Sequence, residues 1–329
     1  MNQHLDILKK ITSSINTDLK LYQKEFDKAL RSEVSLINTV SKYMMRNRGK
    51  KIRPILTILS ARLCSEPNEN TYRAAAMVEL LHIATLIHDD VVDDATLRRG
   101  RASVNKIWKN KLSVLMGDFI LSKALINMID LKDFDALGQI SKTAEHLSAG
   151  EILQMERSFS GSMTEEVYFD MIGQKTASLL ATSCELGAIT TTKKKEDRAA
   201  TSAFGQNLGI AFQIKDDLFD LLGKESDTGK NSGGDVKRNM MTLPLIYSKN
   251  NMNRKDYREL KKLLGYKKKN KRVMSDITKL VNKTGGIDYS KKKLDDYSSL
   301  AIDAISHYPP SSIKKSCEDL VHFNKNRLK

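Results

Sequence analysis

Apolar side chains return every three to four positions along nearly the whole chain: Ile7, Ile11 and Ile15; Val34, Ile37, Val40 and Met44; Ile55, Ile58, Leu59 and Leu63; Met77, Leu80, Leu81, Ala84 and Ile87. This spacing marks helices that turn one face to a core, whereas the strict alternation of half-buried strands is scarce. Breaks are predicted at Arg48-Gly49, Ser65 to Asn70, Leu97 to Ala102, Gly161-Ser162, Thr190 to Lys195, Gly223 to Gly234 and Gly285-Gly286. The pattern predicts an all-α chain of about ten or more helices. No interdomain linker is evident and no repeat of fixed period marks a solenoid. Residues 1–329 are therefore read as a single domain, with 249–329 as its basic C-terminal helical part.

Composition permits this picture. Only five prolines occur in 329 residues, and the glycines are scattered, so long uninterrupted helices are allowed. Cys64, Cys184 and Cys317 lie far apart with no CxxC or Cys/His ligand spacing, so neither a disulfide framework nor a zinc site is indicated, and a reducing cytoplasm fits best. The N-terminus lacks a basic region followed by an apolar core, and no run approaches the roughly 18 consecutive apolar residues of a membrane span. A soluble, unexported, cytoplasmic protein is expected.

Charge is uneven. The formal net charge is +15, and residues 249–329 hold 21 basic against 9 acidic side chains, which leaves a net +3 for the first 248 residues. The runs Lys267 to Arg272 and Lys291 to Lys293 suit either an anionic membrane surface, touched transiently, or a solvated helix face. Nucleic acid is not indicated, because no recognition motif or aromatic stacking set accompanies them.

The candidate chemistry lies in two aspartate-rich sites about 127 residues apart, Asp89-Asp90-Val91-Val92-Asp93 and Asp216-Asp217-Leu218-Phe219-Asp220, each following an apolar stretch. At about 100° per residue, Asp89 and Asp93 share a helix face one turn apart, and Asp216 and Asp220 repeat the relation. Like charges so placed repel, and a cation is the natural compensation. Magnesium takes oxygen ligands, keeps several waters, and commonly uses one or two carboxylates together with substrate phosphates. Cationic groups for such an anion stand at Lys50 and Arg53, where Gly49 can end one segment and Pro54 can start the next helix, and at Arg98 and Arg99. His82, seven residues before Asp89, returns to within about 20° of the same face.

In this order, Gly49-Lys50-x-x-Arg53-Pro54, Leu81-His82, the first DDxxD through Arg98-Arg99-Gly100, Gly117-Asp118, Gln174-Lys175-Thr176-Ala177, Phe212-Gln213 with the second DDxxD, Gly229-Lys230 and Thr242-Leu243-Pro244-Leu245 make the chain resemble the trans-type polyprenyl diphosphate synthase family over nearly its whole length. The resemblance implies a helical bundle of the isoprenoid synthase type around a central cavity. It implies isopentenyl diphosphate on Lys50, Arg53, His82 and Arg99, and an allylic prenyl diphosphate on Arg98, Lys175, Thr176, Gln213 and Lys230. Two or three magnesium ions would be held by Asp89, Asp93 and Asp216, with Asp220 acting through water. Asp89, Asp93, Lys175 and Asp216 would be catalytic, and the protein a homodimer.

Diphosphate leaves poorly until its charge is neutralised, and the allylic cation left behind needs shielding from water and fixed dipoles such as the Thr176 hydroxyl and Gln213 amide oxygen. Thr85, one turn before Asp89 on nearly the same face, and its neighbour Ala84 are both small, and since the resemblance implies that aromatic residues there cap the tunnel in short-chain relatives, a medium or long product is expected. One departure stands out: relatives usually carry a lysine where this chain has Met240, and Lys237 or Arg238 are the candidates to replace it. Three other readings are opposed by the sequence. A non-catalytic or weakened partner subunit is opposed by two complete DDxxD sites, a terpene cyclase by the Lys50/Arg53 site, and a nucleic-acid-binding protein by the absence of any motif.

Overall fold

The computed structural model describes residues 2–46, 49–98, 100–160, 163–223, 233–266 and 268–327. Ten helices lead to the second aspartate-rich site: α1 (Asn2–Ile11), α2 (Asn16–Ala29), α3 (Ser35–Met45), α4 (Ile52–Cys64), α5 (Glu69–Val92), α6 (Val104–Asp130), α7 (Phe134–Ser160), α8 (Glu165–Ile172), α9 (Ser178–Ile189) and α10 (Lys195–Leu222). Helices Gly234–Lys237, Leu243–Asn251, Arg254–Leu264, Lys271–Lys283, Gly286–Ala304 and Ser312–Asn326 complete the all-α architecture that the apolar pattern predicts. Among the described residues the extended structure is one hairpin, Leu97–Arg98 against Arg101–Ala102, turned at Gly100 with φ 78°. Two-residue strands are too short to leave a periodic signal.

Helix α9 is apolar on every side because it is buried on every side. Gly187 brings it against α4 so closely that a Cβ there would lie 2.1 Å from the Thr57 carbonyl oxygen. Against α10, a Cβ on Gly205 or Gly209 would lie 2.5 Å from the Leu180 oxygen or the Ala177 Cα. Close backbone packing of this kind has no room for even one methyl group.

The side chains at the helix ends fix the direction of each element. Asn68 caps α5 by accepting from the Asn70 and Thr71 amides, and its Nδ2 donates to the Thr190 carbonyl just past α9 at 2.7 Å. The start of α5 thus meets the end of α9. Thr191 Oγ1 donates to the Ala61 carbonyl of α4, and Arg198 near the start of α10 pairs with Asp135 near the start of α7 at 2.7 Å. All these ends gather at one pole. The first turn of α4, the end of α5, the turn before α9 and the later halves of α7 and α10 therefore converge at the other.

Below that pole, Ala74, Val78 and Leu81 of α5 pack with Met128, Ile140, Leu179, Leu186 and Ile189 in an apolar column between α5, α6, α7 and α9. Thr85 continues the stripe of Ala74, Val78 and Leu81 toward Asp89, whereas Ala84 is buried in a different cluster with Ile58, Met116 and Ile120.

Helix α6 is long and apolar enough to cross a membrane by length and composition, although charged residues interrupt it and no unbroken apolar run signals it in the sequence. One of its faces packs on α5, while Val114, Leu115, Leu125, Ile126 and Ile129 are exposed on the other.

Candidate active site

Asp89 sits in the last turn of α5, and Asp93 caps that helix, its amide donating to the Asp89 carbonyl at 2.8 Å. Burial, with Glu151 and Asp93, pushes the Asp89 carboxyl up to about 6 against the opposing pull of Lys175 and Arg98. Around Asp89 the carboxylates outweigh the cations.

Lys175 reaches this region from a single π-helical turn, Gly173–Ala177, inserted between α8 and α9, a distortion that recurs at functional sites. Its ammonium pairs with Glu151 and donates to Gln154 Oε1 at 3.0 Å. Both partners lie on α7, which approaches the turn at Gly150, where a Cβ would stand 3.0 Å from the Lys175 amide nitrogen. Sequence reasoning missed Glu151 and Gln154 because their only local signal is a carboxylate and an amide one turn apart behind a glycine.

The hydroxyl of Thr176 donates to Gln213 Oε1 at 2.9 Å, Gln213 Nε2 donates to Asp217 Oδ1 at 2.9 Å, and Tyr168 Oη donates to Asp217 Oδ2 at 2.6 Å. Asp217 is buried, and burial raises its carboxyl to about 8 against the opposing pull of Tyr168 and Gln213. The network fixes which way the Gln213 amide faces. In the first motif the middle aspartate is buried in the same way: Asp90 accepts from Arg98 Nε at 2.8 Å, and Arg98 Nη2 closes on the same oxygen. In both motifs the middle aspartate is thus buried and held by a side chain from outside its helix, Asp90 by Arg98 and Asp217 by Tyr168, while Asp89 and Asp216 are half-buried.

Asp216 is bound by Arg327 Nη2 at 2.5 Å, and the Arg327 guanidinium also lies 4.0 Å from the Phe212 ring centroid. Arg327 is almost fully buried, and within the basic C-terminal part the sequence marks it only as one charge among many. Lys50 stands beside this pair with its ammonium over Phe323 at 5.1 Å, its pKa lowered by burial and by Arg327. Arg53 lies in the first turn of α4, after Lys51 in left-handed conformation. Asp220 accepts the Gly234 and Asp235 amides at 2.9 and 2.8 Å, so it anchors the following segment with both oxygens.

Two clefts open among these residues. Lys51, Glu79, His82, Asp90 and Arg98 line one, with Tyr22, Phe26 and Leu86 as its apolar wall. Gln154, Tyr168, Lys175, Thr176, Gln213, Asp217, Arg238 and Met240 line the other. Arg99 and Lys230 lie outside the described residues. The structure thus gathers Asp89, Asp93 and Lys175, joins Thr176 to Gln213, sets Lys50 near Asp216, and turns Arg98 to the cleft of His82.

The sequence model of the polyprenyl synthetase family matches residues 34–281, three quarters of the chain. The chain belongs to that family. Like its members, this polyprenyl synthetase is a prenyltransferase with the all-α isoprenoid synthase fold. It is 30% identical over 325 residues to the all-trans-nonaprenyl-diphosphate synthase (geranyl-diphosphate specific) of Rhodobacter capsulatus, covering 98% of this chain and 99% of that one. The heptaprenyl diphosphate synthase component 2 of Geobacillus stearothermophilus is 34% identical over 241 residues, 73% of this chain and 75% of its own. A polyprenyl synthase from Caulobacter crescentus CB15, crystallised with calcium and isoprenyl diphosphate, superposes with a TM-score of 0.90 at 29% identity, covering 97% and 98% of the two chains.

Among the described residues no three His, Cys, Asp or Glu side chains cluster as a ready-made metal cage. A divalent ion that keeps its waters and takes substrate phosphate oxygens needs no such cage. The fit of the site to a cation is seen in Asp89, whose carboxyl is raised by burial and then by its neighbours Glu151 and Asp93, and which would be relieved by positive charge.

Proposed function

We propose that this polyprenyl synthetase joins isopentenyl diphosphate to an allylic prenyl diphosphate in the trans sense and repeats the step to a medium- or long-chain polyprenyl diphosphate. The observation that carries this reading is the convergence of both aspartate-rich motifs with Lys175, Thr176 and Gln213 at one pole, above an apolar column that would take the growing tail.

Asp89, Asp93 and Asp216 would hold magnesium, two or three ions in all, with Asp220 as an outer partner. Bound there, the metal would supply the positive charge that lets diphosphate leave. Lys175, kept in place by Glu151 and Gln154, would bind the allylic diphosphate, and Lys50, Arg53, His82 and Arg99 the isopentenyl diphosphate. The Thr176 and Gln213 oxygens, oriented through buried Asp217 and Tyr168, would face the allylic cation with fixed dipoles while the apolar wall excludes water. No side-chain base is assigned to the final proton, and the departed diphosphate is its acceptor in this reading.

Residues 1–329 would act as one domain, cytoplasmic in location. Two copies would pair through the apolar face of α6 on which Val114, Leu115, Leu125, Ile126 and Ile129 are exposed. The partner-subunit reading has the name of the Geobacillus relative, heptaprenyl diphosphate synthase component 2, behind it, and two complete DDxxD sites oppose it. Steady-state turnover of Asp89→Ala and Asp216→Ala decides the matter: each should lose nearly all activity, and near-normal turnover of either with magnesium would sink the assignment.

A further inference from the structure

The segment from Gly233 to Thr242 closes one side of the cleft lined by Lys175, Thr176 and Gln213, and it is braced at both ends. At the first, Asp220 takes the Gly234 and Asp235 amides and its carbonyl takes the Gly233 amide at 2.8 Å. Gly233 has φ 75°, and a Cβ there would stand 2.2 Å from Met274 Cε. At the other, Asn239 is held at φ 61°, its Oδ1 accepting from the buried Lys269 ammonium at 2.8 Å. The Met240 amide closes the turn on the Asp235 carbonyl at 2.8 Å. Between the braces Val236 is buried as an apolar anchor, and Lys237 and Arg238 are exposed.

These two cations are not equivalent. Arg238 lines the cleft and Lys237 does not. Of the described residues that line the cleft, Lys175 and Arg238 are the cations, and Lys175 is already paired with Glu151. Met240, which lines the same cleft, contributes no charge. Arg238 Nη2 donates to Asp235 Oδ1 at 2.9 Å, which leaves most of its donors to turn outward, and a guanidinium matches the geometry of phosphate oxygens.

We propose that Arg238 is the cation that grips the allylic diphosphate from this side of the cleft, with Asp235 as its positioning residue. The proposal takes the allylic-diphosphate reading of this cleft as given and names the group that does the binding. It predicts that the uncharged Met240 is tolerated because the charge stands two residues earlier.

The test varies farnesyl diphosphate at saturating isopentenyl diphosphate and magnesium. Arg238→Gln should raise the KM for farnesyl diphosphate about tenfold, the scale of one lost charged contact, and leave the KM for isopentenyl diphosphate unchanged. Its melting temperature should match the wild type, since the side chain is 62% exposed. Arg238→Lys should keep most of the affinity, and adding Met240→Lys to Arg238→Gln should recover it, a rescue that a merely structural role would not give. A wild-type KM in Arg238→Gln overturns the proposal, as does an equal rise in both KM values. Failure of the wild-type protein to condense the two substrates would instead remove the reading of the cleft itself.

Discussion

Replacing Tyr168 with Phe tests whether the buried middle aspartate of the second motif organises the reacting groups. The ring is 1% exposed and packs beside Met171, Ile172 and Leu218, and Phe keeps that packing. What is lost is one hydrogen bond, 2.6 Å from Tyr168 Oη to Asp217 Oδ2. Asp217 is 3% exposed, so water cannot readily replace the donor. A buried acceptor left short of a donor costs about 1–3 kcal/mol. At roughly 2 °C per kcal/mol for a chain of this size, the melting temperature should fall by about 2–6 °C. Tyr168→Ala, which also opens a cavity, should cost about 3–5 kcal/mol. The functional effect is separable from the thermal one. With Asp217 held by Gln213 alone, the Gln213 amide and the Thr176 hydroxyl lose their fixed orientation, and kcat at 20 °C, far below melting, should drop by about tenfold, as for partners that orient a reacting group. The KM for isopentenyl diphosphate should not move. A Tyr168→Phe protein that melts and turns over with the wild type would refute the argument that this network positions Thr176 and Gln213.

The raised Asp89 carboxyl gives a signed pH dependence. A folded value of about 6 against the ordinary 3.8 means that its favourable contribution to the metal-free protein is complete below about pH 4 and lost as the pH rises through 6. Magnesium should therefore raise the melting temperature at pH 7.5, and its apparent affinity should weaken as the pH falls below about 6, because a protonated carboxyl is no ligand. Calorimetry across that range checks both. Thr85→Phe places a ring about 6 Å below Asp89 along α5, at the top of the apolar column, and should shorten the products seen on reversed-phase thin layers; an unchanged ladder would remove Thr85 from the tail path. Leu115→Glu with Ile126→Glu puts charge on the exposed face of α6, and sedimentation velocity should then give a monomer for the variant and a dimer for the wild type; a monomeric wild type would remove the proposed pairing.

The helices were legible because their apolar period is local, and so were the outer aspartates, whose spacing is a property of one helix. The same 100° step says that Asp90 and Asp217 point elsewhere, but what they meet, Arg98 across a hairpin and Tyr168 from α8, depends on packing between elements distant in sequence. Glu151 and Arg327 were hidden for the same reason: one lies 24 residues before Lys175, the other 111 beyond Asp216. Ala84 and Thr85 are neighbours in the chain, yet the structure sends one to the main core and keeps the other on the stripe below Asp89, a distinction that 100° of rotation makes and adjacency conceals. At Met240 the sequence offered Lys237 and Arg238 equally, and only the fold of the segment separates them.

The central claim is most directly tested by incubating the purified wild-type chain with farnesyl diphosphate, labelled isopentenyl diphosphate and magnesium, and sizing the extracted products. The account predicts labelled polyprenyl diphosphates longer than farnesyl, formed by this chain alone and abolished by chelation of the metal. Absence of labelled product from the chain alone, restored by adding a second, different subunit, would contradict it.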